Sequence, residues 1–190
     1  MRLGTVFAIA LCLFLVTAAL GQGRRRETLQ IEGTGEAPGL DIEQWIKGDE
    51  VTLATGRTYI VFFWSIEDPV SRAAFEPLTE MQETYVDDGL TVIAITSNAV
   101  EQVEYFVRRH EGEMGFTVAV DRRESTENAW ANLINARDGI TGLSFIVGLK
   151  GRVQIFGHPM APNFEDYLVR ILDGRFDATL LRVLEHYDEI

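Results

Sequence analysis

Residues Tyr59–Trp64 read YIVFFW, six consecutive aromatic or β-branched side chains with no polar residue to face water. A run this short and this apolar implies a strand covered on both faces, so the chain must supply a layer above it and a layer below. The run breaks into the polar stretch Ser65–Asp68, and Pro69 follows. From Val70 the apolar positions Val70, Ala74, Leu78, Met81 and Tyr85 advance by four, four, three and four, the spacing of one helix face. Asp87-Asp88-Gly89 ends that pattern, and Leu90–Thr96 (LTVIAIT) reads as the next strand. Asn98, with Glu101 three residues on, fits a capping box opening a helix through Arg109 with Val100, Val103 and Val107 inward.

Phe116–Val120 then reads as a strand and Glu124–Ala136 as a helix. Leu143–Gly157 reads as a two-stranded hairpin about Leu149-Lys150-Gly151. Phe164–Leu172 places Phe164, Tyr167, Leu168 and Ile171 on one helix side and stops before Gly174. Ala178–His186 reads as a short last helix. Ahead of all these, Ala37–Leu53 reads as two extended pieces about Lys47-Gly48-Asp49, an edge hairpin. The order β-α-β-α-β-α-β-β-α implies an α/β sandwich, a central mixed sheet flanked by helices, with an N-terminal β-hairpin extension.

The first residues obey different rules. Arg2 is a minimal positive flank, Val6–Val16 is almost unbroken apolar sequence, and Ala19-Leu20-Gly21 puts small residues at −3 and −1 of a cleavage site before Gln22. Residues 1–21 are therefore expected to be a secretory signal peptide, residues 22–35 a flexible leader, and residues 36–190 the folded domain. The alternative is an uncleaved N-terminal anchor, for which the apolar run is somewhat short and Arg24-Arg25-Arg26 an odd outer flank. Export would place the protein in the periplasm or outside the cell. Loss of residues 1–21 removes one base, Arg2, and no acid, moving the net charge from −12 to −13. That charge repels nucleic acid and anionic membrane, so no nucleic-acid partner and no membrane contact beyond the signal segment are expected. The sole cysteine is Cys12, inside the apolar run, and residues 13–190 contain none. An exported domain without disulfides holds together by packing alone.

The residues that carry chemistry elsewhere have no matching pattern here. The three histidines, His110, His158 and His186, show no metal-ligand spacing, and no metal or other cofactor is expected. Ser71 and Ser144 lack a G-x-S-x-G setting. Gly148–Gly151 precedes a strand rather than a helix, so it is no phosphate cradle. Asp68, just before Pro69, suits a helix N-cap: its carboxylate can accept the N–H of Val70 or Ser71, and proline suits the first helical position.

The element order, and Phe63-Trp64-Ser65-Ile66-Glu67 running into Asp68-Pro69-Val70-Ser71-Arg72, resemble the TlpA/redoxin group of exported thiol-disulfide proteins. Gly35–Pro38 (GEAP), Asp88–Thr96, Phe145–Val153 and the Gly157–Met160 turn (GHPM) add to the likeness, which spans about Gly35 to Asp177. The resemblance implies a thioredoxin-like three-layer sandwich. In that group a strand ending in Phe-Trp-Ala-x-Trp leads to Cys-x-x-Cys-Arg. Here Asp68 stands at the nucleophilic cysteine and Ser71 at the resolving one, while Glu67 replaces the preceding tryptophan. The group's cis-proline corresponds to Gly142, or to Thr141 if the loop carries one extra residue. The resemblance implies that Trp64 is partly exposed beside Asp68, with a groove by Thr141–Leu143, and that His158 is an element of the fold.

Thiol-disulfide exchange needs a thiolate to attack sulfur and a second thiol to resolve the product. A carboxylate and an alcohol do neither, so no catalytic residue is expected. The expected role is a non-catalytic binding or structural module. Trp64, Asp68, Pro69, Ser71, Arg72, Thr141 and Gly142 are the candidate binding residues, and an extended polypeptide or an envelope protein the candidate partner. Two alternatives stand beside it: thiol-disulfide oxidoreductase activity with a role in cell redox homeostasis, as the resemblance implies, and a structural subunit of an envelope assembly.

Overall fold

The YIVFFW run forms the heart of the sheet. In the computed structural model, which describes residues 35–176 and 181–182, strand β2 is Thr58–Phe63 and every one of its residues is buried. Side chains alternate across it as period two requires. Ile60 and Phe62 enter one core, and Tyr59, Val61 and Phe63 enter the other. β3 (Leu90–Thr96) lies parallel to β2, and β4 (Thr117–Asp121) parallel to β3. On the other side, β5 (Ser144–Val147) and β6 (Val153–Gly157) form the expected hairpin, with β5 antiparallel to β2. β1 (Ile42–Lys47) closes one edge against β4 and the two-residue β7 (Leu181–Arg182) closes the other, giving the order β1-β4-β3-β2-β5-β6-β7.

Helices α2 (Phe75–Tyr85), α3 (Val100–Arg109) and α5 (Phe164–Leu172) bury Leu78, Met81, Val103, Phe106, Leu168 and Ile171 in the first core. Helix α4 (Ser125–Leu133) covers the second face, with Trp130 against Phe63 and Phe145 at ring separations of 6.0 and 5.1 Å. The structure is thus the expected three-layer sandwich about a mixed sheet. Each fully buried aromatic or branched aliphatic side chain contributes about 1.5–3 kcal/mol, which is how the sheet holds without a disulfide.

Several local expectations are corrected. The N-terminal hairpin is a single strand, β1, whose partner is β4. After Lys47 the chain leaves the sheet and lies over its second face, where Val51 and Leu53 pack on that core. The Tyr59 hydroxyl donates to the Thr52 carbonyl at 3.3 Å and accepts from the Ala54 N–H at 3.1 Å. Covering apolar area outweighed strand pairing. Gly35, assigned to the flexible leader, is buried, and its carbonyl accepts the Val153 N–H at 2.6 Å. At the other end, Leu181–Arg182 pair with β6 rather than forming part of a helix. The remainder of that expected helix, His186, the signal peptide and residues 22–34 of the leader lie outside the described residues.

The helix expected from Val70 is two. α1 is Pro69–Arg72, a turn intervenes at Ala73-Ala74, and α2 begins at Phe75. Pro77 explains the break: it has no N–H for the Ala73 carbonyl four residues back, and its ring crowds that carbonyl. With α1 reoriented, Val70 turns outward and is 52% exposed, while Ser71 is fully buried. Nor does Asn98 cap α3. The N-cap is Ala99, with no side-chain cap bond.

Candidate functional site

β2 delivers the chain to the sheet's surface at Trp64, and Asp68 starts the helix that follows. Its backbone is extended (φ −94°, ψ 105°), and its two carboxylate oxygens each accept one N–H at 3.1 Å, from Val70 and from Ser71. Pro69 sits in the first turn. This is the cap anticipated from the sequence, of a kind contributing about 1 kcal/mol. Ser71 is equally engaged. Its hydroxyl lies 3.0 Å from the Asp68 carbonyl and accepts the Ser65 N–H at 3.3 Å. Its hydroxyl is engaged with the backbone of Ser65 and Asp68 rather than with a general base, which is the arrangement of a structural serine.

The loop between Trp64 and Asp68 is fixed by residues whose part the sequence reading missed. Glu67 Oε2 accepts the Ser65 hydroxyl at 2.6 Å and the Asn98 amide at 2.8 Å. Those bonds, the Ser65 one foremost, hold the Glu67 carboxyl below the usual carboxylate range. Asn98 Oδ1 in turn accepts the Ile66 N–H at 2.9 Å and the Thr96 hydroxyl at 2.8 Å. Asn98 therefore ties the end of β3 to the loop after β2. A signal existed: a polar residue just past one strand end lies beside the end of the neighbouring parallel strand. The capping-box spacing pointed elsewhere.

Opposite Asp68 is the Thr141–Leu143 loop. Gly142 has φ +86°, and its N–H donates to the Phe63 carbonyl at 2.7 Å. A side chain there would meet only ordinary contacts, 3.9 Å from Asp68 Oδ2 and His158 Cδ2, so the backbone rather than crowding demands glycine. Proline fits neither the positive φ nor the donated N–H. His158, in the turn after β6, accepts the Met160 N–H on Nδ1 at 3.3 Å. Burial pushes the His158 imidazole below its usual range, against the opposing pull of a hydrogen bond to the Val70 backbone and of the Asp68 carboxylate. The structure thus brings Asp68, Pro69, Ser71, Gly142 and His158 together.

Trp64 is not in that surface. It is only 2% exposed, packed edge-on to Phe75 at 5.1 Å and against Phe106 at 5.5 Å, and its indole N–H has no hydrogen-bond partner. The first core has drawn it in; the expectation of a partly exposed ring is corrected. Arg72 and Thr141 are exposed. Among the described residues no group of three or more His, Cys, Asp or Glu could hold a metal ion, and no helix is long and apolar enough to cross a membrane.

Comparison with known proteins places this geometry. A thioredoxin-family thiol:disulfide interchange protein from Chlorobium tepidum TLS superposes with a TM-score of 0.56 at 22% identity, over 74% of this chain and 94% of that one. A thioredoxin-like protein solved in its oxidized form gives 0.57 at 18%, over 75% and 97%. The mitochondrial 2-Cys peroxiredoxin of Plasmodium falciparum gives 0.55 at 14%, over 74% and 92%. At these identities the likeness shows the thioredoxin-like fold. No curated protein matches the chain. Residues 35–155, from the buried Gly35 through the Asp68–Ser71 turn and the Gly142 loop into β6, match the model of the AhpC/TSA family, and the chain belongs to that family.

Proposed function

We propose that this chain is an exported thioredoxin-like domain that binds polypeptide and carries out no thiol chemistry. One observation supports the reading above all. The two positions where the TlpA/redoxin group has cysteines hold a carboxylate engaged by two backbone N–H groups and a hydroxyl buried beneath them. Sulfur exchange and peroxide reduction both begin from a thiolate. Cys12, the one sulfhydryl in the sequence, falls in the segment read as a signal peptide. What remains around Asp68 is a surface with Pro69, Val70, Arg72 and Thr141 exposed on it. An extended segment lying along such a surface would be held by side-chain contacts, since the Gly142 N–H is already donated within the domain.

The test is an array of overlapping peptides probed with the purified protein and with a Thr141→Arg variant. Binding to a subset of peptides, lost in the variant, is the expected result. Absence of binding to every peptide would contradict the proposal. Thiol-disulfide exchange is the second reading, favoured by family membership.

A further inference from the structure

Two of the five large apolar residues exposed among the described residues, Val70 at 52% and Met160 at 38%, meet the same imidazole through their backbones. The Met160 N–H is donated to His158, and the His158 imidazole lies beside the Val70 backbone. Val70 faces outward although the helical spacing assigns it to the core, because the break at Ala73 turns α1. On the chain just before this apolar pair stands Glu67, fully open to solvent, with Asp68 beside it. Glu67 Oε2 is held by Ser65 and Asn98, whereas Oε1 has no hydrogen bond, and no cation lies within ion-pair distance among the described residues. A carboxylate already fixed in place loses little side-chain freedom when it pairs.

We propose that Glu67, Val70 and Met160 form the part of this surface that selects its partner, a polypeptide segment carrying Lys or Arg next to an apolar residue. The proposal rests on the polypeptide-binding reading and names the chemistry of the partner. Charge complementarity carries it. Among the described residues no ion pair neutralises the fixed carboxylate, and the chain's net charge of −12 outweighs the exposed Arg72 nearby, so an acidic segment or an anionic bilayer would be disfavoured at the same place. The apolar pair supplies the contact area, and the carboxylate supplies the preference. Burial disfavours the charged form of His158, which would otherwise cancel part of the carboxylate's field.

The experiment uses three fluorescent peptides that share one apolar core and differ at a single residue, Lys, Gln or Glu. Their affinities for the purified protein are measured by anisotropy at low and high salt. The Lys peptide is expected to bind about three- to fivefold more tightly than the Gln peptide, the range of an exposed ion pair, and the Glu peptide more weakly still. Glu67→Gln should abolish the Lys preference, bringing the Lys and Gln peptides to equal affinity. Gln retains an oxygen that can accept from Ser65 and Asn98, so the loop stays tied. Val70→Ser should weaken all three peptides alike. High salt should act as Glu67→Gln does. Equal affinity for the three peptides would overturn the charge inference and leave polypeptide binding standing; failure of all three to bind would remove both.

Discussion

Asp68 and His158 stand close to Gly142, and each is engaged within the domain. Asp68 is an N-cap and so a component of the helix. His158 accepts the Met160 N–H, and burial disfavours its charged form. The second fact has a consequence for stability. With its folded value depressed below the ordinary 6.5, His158 takes up a proton more readily in the unfolded chain. Its contribution is therefore complete above about pH 6.5 and is lost as pH falls from there through the folded value. Denaturant melts between pH 7.5 and 5 should show stability declining in that window, and His158→Gln should flatten the decline attributable to this group. The Asp68 cap was legible because a short acid before Pro-Val-Ser obeys a local rule. The His158 contact was not, since it joins residues 88 positions apart in sequence.

At the scale of elements, legibility followed the range of the forces. α5 occupies Phe164–Leu172 as its apolar spacing indicated, and β2 lies within one residue of YIVFFW. Both are set by periodicity that the sheet can only reinforce. The division of α1 from α2 was readable in principle from Pro77, but the apolar spacing runs straight across it. β1 could not be paired correctly from sequence, because its partner β4 is some 75 residues distant and its register shifts twice, between Ile42 and Gln44 and between Trp45 and Lys47. Asn98 satisfied one local rule, the capping box, and the structure used it for another purpose. The loop opposite Asp68 gives the sharpest test at this scale. Gly142→Pro, which places the group's own residue there, should destabilise the domain by about 3 kcal/mol or more. The proline would lose the N–H given to Phe63 and cannot adopt φ +86°. Gly142→Ala, which loses only the backbone freedom, should cost about 1–2 kcal/mol. Chemical denaturation of the two variants measures the difference, and equal effects would mean that the N–H contributes nothing.

Across the whole molecule, the fold and the function separate. The domain keeps a seven-stranded sheet, two cores and the strand-to-helix junction at which the TlpA/redoxin group places its dithiol. The fold was legible because alternating strands and helices leave few topologies open. The absence of cysteine from residues 13–190, on which the proposed function draws, was legible directly. What the sequence did not reveal is how fully the junction has been rebuilt, with Ser65, Glu67, Asn98 and Ser71 joined through side-chain hydrogen bonds. Such a network fixes the loop in the absence of a disulfide. The most direct measurement is turnover of insulin disulfides by the purified protein in the presence of dithiothreitol. The account predicts a rate equal to that of buffer. A rate above buffer that Asp68→Asn abolishes would contradict it.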